Sequence, residues 1–294
     1  RSLIQMATGA GKTYTAVTSS YRLLQHAGAF RILFLVDRNN LGKQALTEFT
    51  NYVTPDDGRK FSDLFNVQRL AGADMLDSSK VVISTVQRLY AMLKGKEIPS
   101  ADTEDEALDS YDIDEVVGVE YNPEVPPEAF DLIIVDECHR SIYGQWRAVL
   151  EYFDAFIVGL TATPVAQTFG FFHQNLVSEY TYTEAVADGV NVDFNVYRIR
   201  TEIAENGAVI PEGIVVPKLD RKTRAQRYEE LDDDYAYTGR QLGRKVVSKG
   251  QLKLVLETFR DRLFTEIFPR QPGQPERTYV PKTLIFAVDE NHAE

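Results

Sequence analysis

Short unbroken apolar runs recur along this chain, separated by stretches whose apolar residues fall three or four positions apart. Residues 32–36 (ILFLV), 81–85 (VVIST), 132–135 (LIIV) and 156–160 (FIVGL) do not alternate, which predicts strands buried on both faces of a parallel sheet. Leu3 and Ile4 begin a shorter strand, and 66–70 reads as a weaker one. Val17, Tyr21 and Leu24 share one helix face, with Gly28 as the stop. Leu41, Ala45, Phe49 and Tyr52 share another, with Asn40 as the N-cap, and a further helix is predicted over 145–153. Strands alternating with helices at these lengths give an α/β, doubly wound parallel sheet. In such sheets ligands bind beyond the carboxyl ends of the strands.

Past Pro164 the rhythm loosens. Residues 169–177 and 183–188 read as helices, and 192–199 alternates as a strand does. Residues 204–243 are polar, with Gly207, Pro211, Gly213 and Pro217, and read as a connector. An amphipathic helix is predicted over 251–264 (Leu252, Val255, Leu256, Phe259, Leu263), and 282–287 (KTLIFA) as a new buried strand. The resulting division is 1–200 for a first domain, 201–245 for the connector and 246–294 for the beginning of a second domain. Residues 97–131 interrupt the first domain with four prolines and little periodicity. They read as an insertion, loosely packed or partly disordered.

Charge sharpens this picture. The 294 residues carry a net charge of −12, which by itself argues against a polyanionic partner. Thirteen of the acidic residues fall within 97–131, where there is no Lys or Arg, and the rest of the chain stands at net +1. A local basic groove for nucleic acid therefore remains open. The insertion reads most simply as a solvated loop; the sharper reading is a dock for a basic partner or a fence against DNA. A lone cysteine, Cys138, excludes an internal disulfide and suits a reducing cytosol. No apolar run approaches the length of a membrane span, and the N-terminal stretch does not read as a signal peptide. The chain begins at Arg1, one residue before a motif-bearing strand, as a piece of a longer protein would.

Three stretches carry the chemistry. In LIQMATGAGKT (3–13) an apolar strand runs into a Gly-rich turn and then a helix. That is the layout of a phosphate cradle, with backbone amides at Gly9, Ala10 and Gly11, a Lys12 charge near the β- and γ-phosphates, and a Thr13 hydroxyl for Mg²⁺. The general pattern G-x-x-x-x-G-K-[ST] asks for glycine where this chain has Met6. In LIIVDECH (132–139) a strand ends in Asp136, placed to hold Mg²⁺, and Glu137, placed to orient and polarise the attacking water. Alone, such a pair is an acidic loop opening. LTATP (160–164) follows the next strand; alone it is an ordinary turn. The four histidines lack metal-ligand spacing, nothing marks Cys138 as a nucleophile, and Phe169, Phe171 and Phe172 read as core packing.

Taken in order, the three stretches resemble motifs I, II and III of superfamily 2 helicases and translocases, in which the first glycine of motif I is often relaxed. LVDRNNLGKQA (35–45) and STVQRLY (84–90) sit where DNA-contacting motifs belong, and 282–294 resembles motif IV. SIYGQWR and FGFFHQNLVSEYTYTEAVADGVNVDF narrow the resemblance to the R (HsdR) subunit of type I restriction enzymes, and the similarity covers most of the chain. It implies a RecA-like P-loop NTPase domain followed by a connector and the start of a second RecA-like domain. It further implies ATP and Mg²⁺ as cofactors, double-stranded DNA as track, the methyltransferase (M) and specificity (S) subunits as partners, and the cytoplasm of a prokaryote. Lys12, Asp136 and Glu137 would then be catalytic. Gly9, Ala10, Gly11, Lys12 and Thr13 would hold nucleotide, and Thr13 and Asp136 the metal. Thr161 and Thr163 would couple hydrolysis to movement, and His139 and Arg140 would sense the partner domain. Arg38, Thr85, Gln87 and Arg88 would touch DNA phosphates, the alternative being surface residues satisfied by water. The family's nuclease pattern is not found here, and an arginine finger would come from the second domain, so these 294 residues alone should hydrolyse ATP barely or not at all. A strand-separating helicase and a nucleotide-binding scaffold without turnover are the rival readings.

Overall fold

The computed structural model describes residues 1–72, 75–94, 119–219, 225–241, 246, 248–270, 272–273, 275 and 279–287. The chain forms two compact units, Arg1–Asp193 and Phe194–Glu294.

The first unit is built on a seven-stranded, all-parallel sheet. Its strands are β1 (Ser2–Met6), β2 (Ile32–Val36), β3 (Asn66–Arg69), β4 (Ser79–Thr85), β5 (Leu132–Val135), β6 (Phe156–Thr161) and β7 (Leu176–Tyr180). Their spatial order is β3-β4-β2-β5-β6-β1-β7. The unbroken apolar runs lie at its centre, where both faces are covered, except that Phe156 at the start of β6 is exposed. On β2, Leu33 and Leu35 join one buried cluster with Ile133, Val135, Trp146 and Phe172. Ile32, Phe34 and Val36 join the other, with Val17, Tyr21, Phe49 and Phe61. The second cluster lies under α1 (Lys12–His26), α2 (Asn39–Asn51) and α3 (Phe61–Leu64); the first lies under α4 (Val86–Leu93) and a helix at Gly144–Tyr152. This is the α/β architecture of a RecA-like domain.

Several elements depart from what the sequence predicts. The helix expected over 169–177 is split: a helix at Ala166–Phe171 ends where His173 and Gln174 take left-handed φ values of 54° and 61°, and β7 follows on the sheet edge beside β1. The alternating stretch 192–199 forms no strand, and Val192, Phe194 and Val196 are exposed. Residues 282–287 are likewise irregular, with Leu284, Ile285 and Phe286 exposed. In both cases the side-chain pattern of a strand is present, but among the described residues no strand pairs with it. The polar stretch 204–243 has structure of its own: a helix at Glu202–Asn206 and two antiparallel ribbons, β8 (Ala208–Ile210) with β11 (Tyr235–Tyr237) and β9 (Val215–Leu219) with β10 (Gln226–Glu230). A helix at Lys249–Arg262 begins at Ser248, whose hydroxyl accepts the Gln251 N–H.

Of the acidic insertion, 97–118 lies outside the described residues. The remainder is not loosely packed. Val125, Ala129 and Phe130 are buried, Asn122 donates to the Met92 carbonyl, and the Asp131 carboxylate accepts the N–H groups of Phe30 and Arg31 at 2.7 and 2.9 Å.

Candidate nucleotide-binding site

Strand order assembles the site. β1, β6 and β5 are neighbours, with Gln5 registered to Thr161 and Val135 to Gly159. Their carboxyl ends therefore bring together three stretches that are far apart in sequence. After β1 the chain turns through Thr8–Gly11, where Gly9 and Gly11 adopt φ of 79° and 91°. This left-handed backbone strains any residue with a Cβ, so glycine at both positions is a requirement of the turn. Helix α1 then starts at Lys12 with no acidic residue in its first turn. Its unpaired amides and the positive end of its dipole are left available to an anion. Thr13 is the second residue of this helix and partly exposed.

Lys12 Nζ is 3.0 Å from Glu137 Oε1, linking the first and second motifs directly. Glu137 sits in a left-handed kink (φ 45°, ψ 45°) between β5 and a short helix at Cys138–Ser141. Such a conformation in a non-glycine residue costs on the order of 1 kcal/mol or more and is characteristic of functional sites. His139 Nδ1 lies 3.5 Å from Glu137 Oε2 and 2.9 Å from Thr161 Oγ1, and the same hydroxyl accepts the Thr163 N–H at 3.2 Å. Lys12, Glu137, His139, Thr161 and Thr163 thus form one continuous chain of contacts across the three strand ends. Next to them, the backbone N–H of Asp136 is fixed to the Leu35 carbonyl.

The carboxyl group of Asp136 is held above its ordinary pKa of 3.8, first by burial and then by the Glu137 charge, with Lys12 opposing. A desolvated carboxylate of this kind gains from an added cation, so the residues present fit a divalent metal. The raised pKa has a consequence for stability. Unfolding returns the group to its lower, solvated value, so its ionised form favours the unfolded chain at any pH above that value. Asp136→Asn is therefore expected to raise the melting temperature of metal-free, nucleotide-free protein at pH 7. The advantage should vanish as the pH falls below about 3.8, where the acid is neutral in both states. Melting curves in chelator across that range check it.

The remaining predicted residues fall into two groups. Arg140 Nη1 is 2.8 Å from Asp37 Oδ2, and Arg38 Nε is 3.9 Å from the same oxygen. Asp37, which the sequence reading passed over, thus joins the end of β2 to the helix after Glu137. Arg38 has an exposed side chain (62%). Thr85, Gln87 and Arg88 do not. The Thr85 hydroxyl caps α4 by accepting the Arg88 N–H, and Arg88, 1% exposed as a residue, donates from its guanidinium to the Ala71 carbonyl at 2.7 Å. All eight residues of α4 are buried, so its polar side chains turn inward rather than toward a phosphate backbone. As placed here, Thr85 and Arg88 brace the fold around α4, and all three side chains are buried rather than exposed as the sequence predicts for phosphate contacts. Cys138 is fully buried, and its thiol is pushed up to about 12 by desolvation, which leaves no thiolate to act as a nucleophile.

Residues 1–166, more than half of the chain, match the family described as type III restriction enzyme, res subunit. The chain belongs to this family. Within restriction systems it also aligns along its whole length with endonuclease subunits of type I enzymes. It is 29% identical over 312 residues to the EcoKI endonuclease subunit of Escherichia coli (strain K12), covering 99% of this chain and 23% of that protein. It is 30% identical over 312 residues to the EcoAI endonuclease subunit of Escherichia coli, covering 100% of this chain and 30% of that protein. The chain therefore spans about a quarter to a third of the length of these relatives. Among solved structures, the type ISP restriction-modification enzyme LlaBIII bound to DNA aligns with a TM-score of 0.40 and 18% identity, over 64% of this chain and 14% of that one. The Hef helicase domain of Pyrococcus furiosus aligns with a TM-score of 0.37 and 21% identity, over 61% and 34%. Among the described residues of this family member, no helix is long and apolar enough to cross a membrane.

Proposed function

We propose that this chain is the ATP-driven motor segment of a type I restriction enzyme R subunit, hydrolysing ATP to move duplex DNA through an enzyme that includes M and S subunits, in a prokaryotic cytoplasm. The observation that carries the reading is the convergence of Lys12, Asp136, Glu137 and Thr161 at adjoining strand ends, with Lys12 and Glu137 in direct contact. The glycine turn and the first amides of α1 would receive the phosphates, and Lys12 would leave Glu137 to meet them. Thr13 and Asp136 would hold Mg²⁺, which neutralises phosphate charge. Glu137, released by Lys12, would then orient the attacking water. Thr161, bonded between His139 and the Thr163 amide, would carry a change at Glu137 into the 160–164 turn. Arg38 would contact the DNA backbone, which suits a motor that must pass over any sequence.

The test uses the assembled enzyme. ATP hydrolysis should depend on duplex DNA, and a triplex-forming strand placed far from the recognition site should be displaced after a lag that grows with distance. Release of one strand of a duplex without such a distance-dependent lag would favour a strand-separating helicase instead.

A further inference from the structure

One polar contact to the phosphate loop comes from far outside the three motifs. Asn191 Nδ2 donates to the Thr8 carbonyl at 3.1 Å, across 183 residues of sequence. The amide group lies over the loop: a Cβ built on Gly9 would find Asn191 Oδ1 as its nearest neighbour, at 3.5 Å. Asn191 is itself well anchored. Its backbone N–H and that of Val190 both donate to the Ala185 carbonyl, at 2.9 and 2.8 Å, closing off the helix at Tyr182–Ala187. That helix has a full capping box between Thr181 and Glu184 and follows directly on β7. β7 in turn is tied to the start of the loop, where the Ala7 N–H donates to the Tyr180 carbonyl at 2.9 Å. The loop is thus gripped at Ala7 and Thr8 by one continuous piece of chain, 176–191.

A trans peptide is planar, with its C=O and N–H pointing in opposite directions. Fixing the Thr8 carbonyl therefore fixes the direction of the Gly9 N–H on the far side of the same plane. Gly9 is one of the two residues whose left-handed backbone shapes the turn, and a glycine peptide is the one most free to rotate away. We propose that Asn191 is a positioning residue for nucleotide binding: its side-chain amide holds the Thr8–Gly9 peptide in the orientation that presents the loop's amides to phosphate. The proposal rests on the nucleotide reading of the site above.

The experiment compares Asn191→Ala and Asn191→Asp with wild type in the full-length subunit within its complex. Asp keeps the shape of Asn but cannot donate to a carbonyl. Four quantities are read: KM and kcat for ATP, the melting temperature without nucleotide, and amide hydrogen exchange over residues 7–11 without nucleotide. The loss of one neutral hydrogen bond that orders the loop should raise KM about 3- to 10-fold in both variants, with kcat within about twofold. Exchange over 7–11 should quicken in both, while the melting temperature stays within about 1 °C, since a surface bond of this kind contributes little to the fold. Wild-type KM and exchange in either variant would overturn the proposal, as would a loss confined to Ala, which would make shape the relevant property. A fall in melting temperature accompanied by unchanged loop exchange would do the same, by making the role structural. If the wild-type enzyme fails to bind ATP, the nucleotide reading falls, and the exchange measurement still decides whether Asn191 orders the loop.

Discussion

Glu137→Gln is expected to lower ATP turnover by about 100-fold or more while leaving ATP bound. The substitution keeps the size and hydrogen-bonding reach of the side chain and removes its capacity to take a proton or to polarise water by charge. General-base assistance of this kind contributes roughly 10²–10⁴ in rate. The structure adds a second expectation of opposite sign for binding. Lys12 stands 3.0 Å from Glu137 and must abandon that contact to reach a phosphate. With the Glu137 side chain 29% exposed, the pair is partly screened and contributes at most ~1 kcal/mol. The variant should therefore bind ATP as tightly as wild type or up to about fivefold more tightly. Fluorescent-nucleotide titration and single-turnover hydrolysis in the assembled enzyme separate the two effects. An unchanged chemical rate would remove Glu137 from its role. Weaker binding would show that Glu137 supports the loop rather than restraining Lys12.

The contrast between Lys12 and Arg88 explains how far the sequence could be read. Chemistry written locally was legible. The glycine turn needs left-handed backbone at fixed offsets, and the runs 32–36 and 132–135 can only be strands with both faces covered, so the sheet and the position of the three motifs at its carboxyl end follow from short stretches. What depends on distant packing was not legible. Arg88 has the composition of a surface cation, and only the surrounding fold makes α4 buried on every side. Asp37 and Asn191 sit in stretches that carry the resemblance but nothing local singles out either residue, and each acts through a partner about a hundred or more residues away. The period-2 pattern at 192–199 and the apolar run at 282–287 show the converse limit. Side-chain pattern fixes which residues a strand would bury, but a strand also needs a neighbour for its backbone, and the sequence of the strand does not contain that neighbour.

Gly159→Ala is the prediction in which fold and site are least separable. Gly159 lies on β6 between β1 and β5, paired in register with Leu3 and Val135. An added Cβ would stand 2.3 Å from Phe172 Cζ and 2.8 Å from Cys138 Sγ, and both residues are fully buried. Where space allows, replacing glycine by alanine stabilises a folded chain by about 0.4–1 kcal/mol, through the unfolded state. Here overpacking should reverse the sign and cost about 1–3 kcal/mol. For a unit of this size that corresponds to a fall of roughly 2–12 °C in melting temperature. Because Cys138 directly follows Glu137, relief of the clash moves the backbone that sets the left-handed kink, and ATP turnover should fall further than the loss of folded protein accounts for. Adding Phe172→Leu to Gly159→Ala removes the ring atom in closest conflict, so the double variant should recover part of the lost stability even though Phe172→Leu alone opens a cavity. Thermal melting of the four proteins in that cycle measures the coupling. Additive effects would mean that the ring of Phe172 can swing clear of β6, and the demand for glycine at this position would then rest on Cys138 and the kink at Glu137 alone.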